Sequence, residues 1–197
     1  MVALRIGVLA LQGDFAAHVA SLGRRGVPAV EVRGVRDLDG VGALVLPGGE
    51  STSMLKLMNG NGLFERLGEL LRAGLPVLAT CAGVILLSRE VRNPAQRSLG
   101  VLDVAVERNA YGRQIDSTVA PITPAAGAGL GAVPLEGVFI RAPRVVEVGP
   151  GVEVLATRGT DPVLLRQRRI LAATFHPELS GGSPVVDLFL RSAGGVE

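Results

Sequence analysis

The sequence predicts an α/β protein: a doubly wound, mostly parallel sheet with flanking helices, followed by a β-rich second half. Three observations lead there. Short apolar runs alternate with segments of helical period until about residue 92, which is the βαβ signature. The runs are near-continuous, as in strands buried on both faces. Beyond that point clear helix is lacking until the C-terminal end, and strand-like runs follow one another.

Ala3–Leu11 is the first such run, and a helix should follow, with Asp14 as its cap and Phe15, Val19 and Leu22 at helical spacing. Arg24-Arg25-Gly26 supplies a basic last turn and a stop. Pro28–Val32 is a short second strand. Ala43–Leu46 is a third, running into Pro47-Gly-Gly-Glu-Ser-Thr-Ser53 and a helix that ends near Gly60, with Ser51 as its N-cap. A further helix over Leu63–Ala73 leads to the strand Val77–Thr80, after which Ala82–Glu90 can be helical. In the second half Leu99–Glu107, Val138–Ile140, Val145–Val148, Val152–Thr157 and Ile170–Phe175 read as strands, and Pro184–Arg191 as a closing helix. The Gly/Ala/Pro-rich segment Thr123–Pro134 reads as a loop.

With 197 residues and 48% apolar content, one domain over residues 1–197 is expected. No apolar run of about 18 residues is unbroken, and the N-terminal stretch has no cleavage-type region, so neither a membrane span nor a signal peptide is expected and a cytoplasmic location is. A single cysteine excludes an internal disulfide and a CxxC metal site; neither a metal nor a cofactor is expected. A net charge of +2, a longest basic block of Arg166-Gln-Arg-Arg169 and 3% aromatics argue against a nucleic-acid partner.

That lone cysteine, Cys81, stands in Ala79-Thr-Cys-Ala-Gly83 at a strand-to-helix junction, the arrangement in which a sharp turn lifts a nucleophile above a sheet. Ala79 and Gly83 are small enough for the close approach such a turn requires. A thiol at a helix start meets unpaired N–H groups, and the N–H of Ala82 can face a developing oxyanion. A buried Cys at an Ala-rich strand end would give the same pentapeptide.

A thiol nucleophile needs a base, and the chain has two histidines. His18 lies among Ala17, Val19 and Ala20 and reads as a partly exposed helix residue. His176 follows an apolar strand, Pro177 keeps it out of helical geometry, and Glu178, two positions on, can reach the imidazole. Together these give a Cys81, His176, Glu178 triad. Pro47-Gly-Gly-Glu-Ser51 then places backbone N–H groups at a strand's carboxyl end beside the elbow. It matches neither phosphate-loop pattern.

With "LPGGEST", "TCAG" and "FHPE" in this order, the chain resembles the class I glutamine amidotransferases. More narrowly it is similar to the glutaminase subunits of pyridoxal 5'-phosphate synthases, on "GVLALQGDF", "PGGESTSM", "TCAGVILL", "VERNAYGRQIDS", "GVFIRAP" and "FHPEL". Ala79 departs from the Gly of the broader pattern. The resemblance implies that Cys81 attacks the amide of L-glutamine, His176 shuttles the proton and Glu178 orients it. It also implies glutamine contacts at Gly49, Glu50, Ser51, Arg108, Ile140 and Arg141. A guanidinium fork suits the substrate carboxylate. The oxyanion would be met by Ala82 and the Gly48-Gly49 loop. The implied partner is a (β/α)8 synthase subunit that uses the ammonia to make pyridoxal 5'-phosphate. Gln12-Gly13 and the first helix, with His18, are the implied contact surface. The rival readings are a glutaminase feeding a different synthase, a stand-alone cysteine amidase or peptidase, and a silent binding module.

Overall fold

We describe residues 4–110, 117–131 and 135–194 from a computed structural model. Four strands and four helices alternate first: β1 Ile6–Leu9, α1 Phe15–Gly23, β2 Ala29–Val32, β3 Ala43–Leu46, α2 Ser51–Met58, α3 Leu63–Arg72, β4 Val77–Thr80 and α4 Ala82–Leu87. The β-rich half follows: β5 Ser88–Arg92, β6 Leu102–Glu107, β7 Thr118–Pro124, β8 Leu135–Phe139, β9 Arg144–Val148, β10 Glu153–Arg158, β11 Asp161–Gln167 and β12 Ile170–Ala173, closed by α5 Pro184–Ala193.

Nine strands form one sheet in the order β2-β1-β3-β4-β12-β11-β10-β7-β8. The first five are parallel, and the last four extend the sheet by antiparallel pairing. A smaller sheet, β5-β6-β9, packs beside it. β1, β3, β4 and β12 are buried at every position, which their unbroken apolar runs require. Alternate residues divide between two cores. Leu44, Leu46, Val77 and Ala79 face Met54, Met58, Leu63 and Leu67 of α2 and α3. Ala43, Val45 and Leu78 face Leu22 of α1 and Val186, Phe189 and Leu190 of α5.

The C-terminal half therefore returns to the centre: β12 pairs with β4 in the register Ala173↔Thr80, while β3 holds β4 from the other side with Leu46↔Ala79. Ligands of open α/β sheets bind above the carboxyl ends of such strands. Here the segments leaving the adjacent strands β1, β3, β4 and β12 all emerge on that edge.

The structure corrects several expectations. Helix α4 stops at Leu87, because the Ser88 hydroxyl turns back to the Val84 carbonyl (2.7 Å) and residues 88–92 pair with β6. Thr123 and Pro124, expected in a loop, pair with Thr157 and Ala156 of β10. Strands β7 and β11 escape sequence inspection because prolines at 121, 124 and 162 and charged ends break their apolar pattern. Within "VERNAYGRQIDS", residues 111–116 lie outside the described residues.

Candidate active site

Cys81 follows directly on β4 with φ 44° and ψ −102°, a conformation a non-glycine residue adopts only under constraint from its surroundings. Its N–H donates to the Ala173 carbonyl of β12 (2.9 Å), and Val84 and Ile85 donate to its carbonyl to begin α4. Ala82 N–H belongs to the first turn, whose donors have no partner within a helix. The side chain is 5% exposed, and its Sγ lies 3.7 Å from the Ile140 carbonyl at the end of β8.

The elbow depends on Gly83, though not for the reason the pentapeptide suggested. A Cβ there would overlap the Leu46 carbonyl of β3, so the close approach is between α4 and the neighbouring strand. Ala79, by contrast, is an ordinary sheet residue paired with Leu46 and Ala172.

His176 stands three residues past the end of β12, its N–H donating to the Val138 carbonyl of β8 (2.9 Å). Its ring is buried against Gly48: a Cβ on that glycine would overlap His176 Cε1, so the first glycine of the PGGES loop makes room for the imidazole. Nδ1 lies 2.7 Å from Glu178 Oε1. Burial disfavours the imidazolium, but hydrogen bonds with Asp14, Cys81 and Glu178 outweigh it and raise the His176 pKa well above the usual range. Cys81 is thus among the groups that act on the imidazole, and it leaves β4 on the edge where His176 and Glu178 leave the adjacent β12.

The sequence reading missed three neighbours. Asp14, expected to cap α1, makes no cap bond with its side chain; Oδ2 lies 2.8 Å from His176 Nδ1 instead. His18, expected to be partly exposed, is 2% exposed, with Nε2 3.1 Å from Thr80 Oγ1 and 3.3 Å from Glu178 Oε2. It therefore cannot lie on a contact surface. Burial lowers its pKa to about 4, so it is neutral at pH 7. Gln12 accepts from the Glu50 N–H (2.6 Å), and the Asp14 N–H donates to the Gly48 carbonyl (3.3 Å). The usable signal was topological. Gln12-Gly13-Asp14 leaves β1 beside β3, at the edge where the other site residues emerge. Asp14, His18 and Glu178 bring possible ligand atoms within 4.8 Å of one another, but each is engaged with His176 or Thr80, which makes the group an orienting network.

The remaining predicted residues form a second wall. Glu50, not Ser51, is the N-cap of α2, its carboxylate accepting from the N–H groups of Thr52 (3.3 Å) and Ser53 (2.9 Å). Burial would raise its pKa, but these bonds and those from the two hydroxyls hold it down to about 2. Ser51 is buried and donates to Gln96 Oε1 (2.9 Å). Arg108 Nη2 donates to Glu50 Oε1 and Thr52 Oγ1, each at 3.1 Å, so the loop carries a fixed guanidinium. Ile140 reaches the thiol through its carbonyl, and the exposed Arg141 turns the chain there with φ 45°.

Residues 8–194 match the model of the SNO glutamine amidotransferase family. Over 188 residues the chain is 51% identical to the pyridoxal 5'-phosphate synthase subunit PdxT of Koribacter versatilis (strain Ellin345), covering 95% of each chain. It is 50% identical over 177 residues to the subunit of the same name from Thermotoga maritima, covering 90% of this chain and 93% of that one. A solved structure described as a glutamine amidotransferase superimposes with a TM-score of 0.88 at 46% identity, covering 96% of this chain and 98% of the other.

Proposed function

The chain belongs to the SNO glutamine amidotransferase family, and from that premise we propose that Cys81, His176 and Glu178 hydrolyse L-glutamine to glutamate and ammonia for the synthase subunit that makes pyridoxal 5'-phosphate. The observation that carries this reading is the meeting, over the carboxyl edge of β4 and β12, of a strained buried thiol with an imidazole held by a carboxylate.

The Cys81 thiol passes its proton to His176 and the thiolate adds to the amide carbon. Ala82 N–H, with donors from the Gly48-Gly49 loop, stabilises the oxyanion. His176 returns the proton to the departing nitrogen, ammonia leaves, and a thioester remains. Water, deprotonated by His176, then adds to the thioester and releases glutamate, which restores the thiol. Arg108 suits the glutamine carboxylate, while Gly49, Glu50, Ser51, Ile140 and Arg141 line the rest of the substrate site. The ammonium of glutamine suits a carboxylate such as Glu50 or the Ile140 carbonyl.

Ammonia free in water would be protonated and lost, so a (β/α)8 synthase partner should receive it directly. Gln12 and Gly13, joined to the oxyanion loop, are the part of the first helix's approach that suits this contact. A free catalytic thiol suits the reducing cytosol, where we place the reaction.

The test is ammonia and glutamate release with the synthase and without it. Docking should raise the rate, and Cys81→Ala should remove glutamate formation by at least about 10³-fold while the synthase still works on added ammonium. Glutamate formation by the alanine variant would remove the assignment.

A further inference from the structure

The glutaminase reading assigns one carboxylate to His176, yet two converge on it. Asp14 Oδ2 and Glu178 Oε1 stand 2.8 and 2.7 Å from the same Nδ1, one from the start of α1 and the other from the turn after β12. One nitrogen carries one hydrogen, so a second acceptor is surplus to simple orientation. Asp14 also gives up something to be there. It occupies the N-cap position of α1, where an aspartate side chain ordinarily bonds the helix N–H groups, and makes no such bond.

Two carboxylates gathered on one nitrogen repel each other if both are ionised, so one of them holds a proton more tightly than usual. Burial decides which. The Glu178 side chain is fully buried, whereas that of Asp14 is 27% exposed. Charge is therefore cheaper on Asp14. The other oxygens, Asp14 Oδ1 and Glu178 Oε2, are buried as well, and the basic group beside Glu178 Oε2 is the neutral His18 ring at 3.3 Å, so among the described residues no second positive charge offsets the pair.

We propose that Asp14 is a positioning residue of the reaction: the ionised member of a carboxylate pair on His176 Nδ1, it supplies the negative charge that the imidazolium needs when Cys81 gives up its proton. Glu178 fixes the ring, and its proton affinity is set by its neighbour. The inference deepens the glutaminase reading and rests on it. The titration pattern agrees: burial, opposed by the His176 hydrogen bond and helped by Asp14, pushes Glu178 up to about 7, while Asp14 is held well below the usual carboxylate range, burial being outweighed by bonds with His176 and Glu178. The other groups around the turn are His18 of α1, Cys81 at the start of α4 and Glu136 of β8. Asp187 of α5 is paired with Arg25.

The experiment compares Asp14→Asn, Asp14→Glu, Glu178→Gln and the double variant Asp14→Asn/Glu178→Gln in the full chain assembled with the synthase, with kcat and KM for glutamine measured from pH 5 to 9. Asp14→Asn should lower kcat by at least about tenfold, the worth of one pKa unit at the imidazolium, with KM within about twofold. It should also move the acid limb of kcat to lower pH, because Glu178 loses its like-charged neighbour. Asp14→Glu should recover part of kcat. Glu178→Gln should keep more activity than the double variant. Alkylation of Cys81 by iodoacetamide reads the same charge without turnover and should slow in Asp14→Asn. Should that variant not fold, Asp14→Ser takes its place in every arm. An unmoved acid limb with wild-type kcat, or a double variant no worse than Glu178→Gln, overturns the proposal. Failure of the unmutated chain to release ammonia overturns the glutaminase reading instead.

Discussion

Gly83→Ala tests how the proposed nucleophile is held. In an exposed helix this change is stabilising by up to about 1 kcal/mol. Here the new Cβ would stand 3.0 Å from both the Leu46 carbonyl carbon and its Cβ, and closer still to the oxygen. Ordinary carbon contacts lie near 3.5–4.0 Å, so α4 must retreat from β3 by roughly 0.5–1 Å. The atoms in the way are largely backbone, in a strand paired on both sides, and cannot rotate aside. Overpacking of this kind costs about 1–3 kcal/mol. After the full helix gain, a net loss of up to about 2 kcal/mol remains, equivalent to up to roughly 8 °C in Tm for a chain of this size. Cys81 is the residue before α4, so the thiol moves with the helix. A misplacement near 1 Å costs up to about 10²-fold in kcat. Glutamate release and a thermal melt read the two effects. Gly23→Ala, at the end of α1 with nothing within 4 Å of the added carbon, is the control and should be neutral or stabilising. A Gly83→Ala variant with unchanged kcat and Tm would refute the claim that the strand carbonyl sets the elbow.

Two further outcomes follow from the buried polar groups. Burial lowers the pKa of His18 from the ordinary 6.5 to about 4, so the unfolded chain binds the extra proton between those limits and stability falls as pH drops from 6.5 to 4. The span is worth about 3 kcal/mol at roughly 1.4 kcal/mol per pKa unit; His18→Gln should flatten that part of the pH dependence in denaturant titrations at pH 4.5 and 7, and equal slopes in the two proteins would discount the buried neutral imidazole. Arg108→Lys keeps the charge but loses the planar fork fixed on Glu50 and Thr52. KM for glutamine should rise about tenfold or more with kcat little changed, and an unaltered KM would move the substrate carboxylate elsewhere.

Much of this was legible in the chain. Strands β1, β3, β4 and β12 announce themselves because a parallel strand covered on both faces must be apolar throughout. The proposed triad was legible because a thiol nucleophile needs a base, and of two histidines His176 had a carboxylate two positions on. Less visible was whatever depends on pairing across the sheet. Ser51 was the natural cap by residue type, but Glu50 reaches both N–H groups and also meets Arg108. His18, flanked by alanines, read as a surface residue, and only the packing of α1 on the turn after β12 buries it.

The amino-acid order by itself determined the alternating architecture, the strand-to-helix elbow at Cys81 and the choice of His176 with Glu178, because each is a local matter of period, turn chemistry and neighbouring residue type. Tertiary structure alone decided that β12 returns to lie against β4, that Leu46 rather than Ala79 demands Gly83, and that Asp14 abandons its helix to stand on the imidazole. These are contacts between strands and loops distant in sequence, and no short-range pattern encodes which two carboxylates will share one nitrogen.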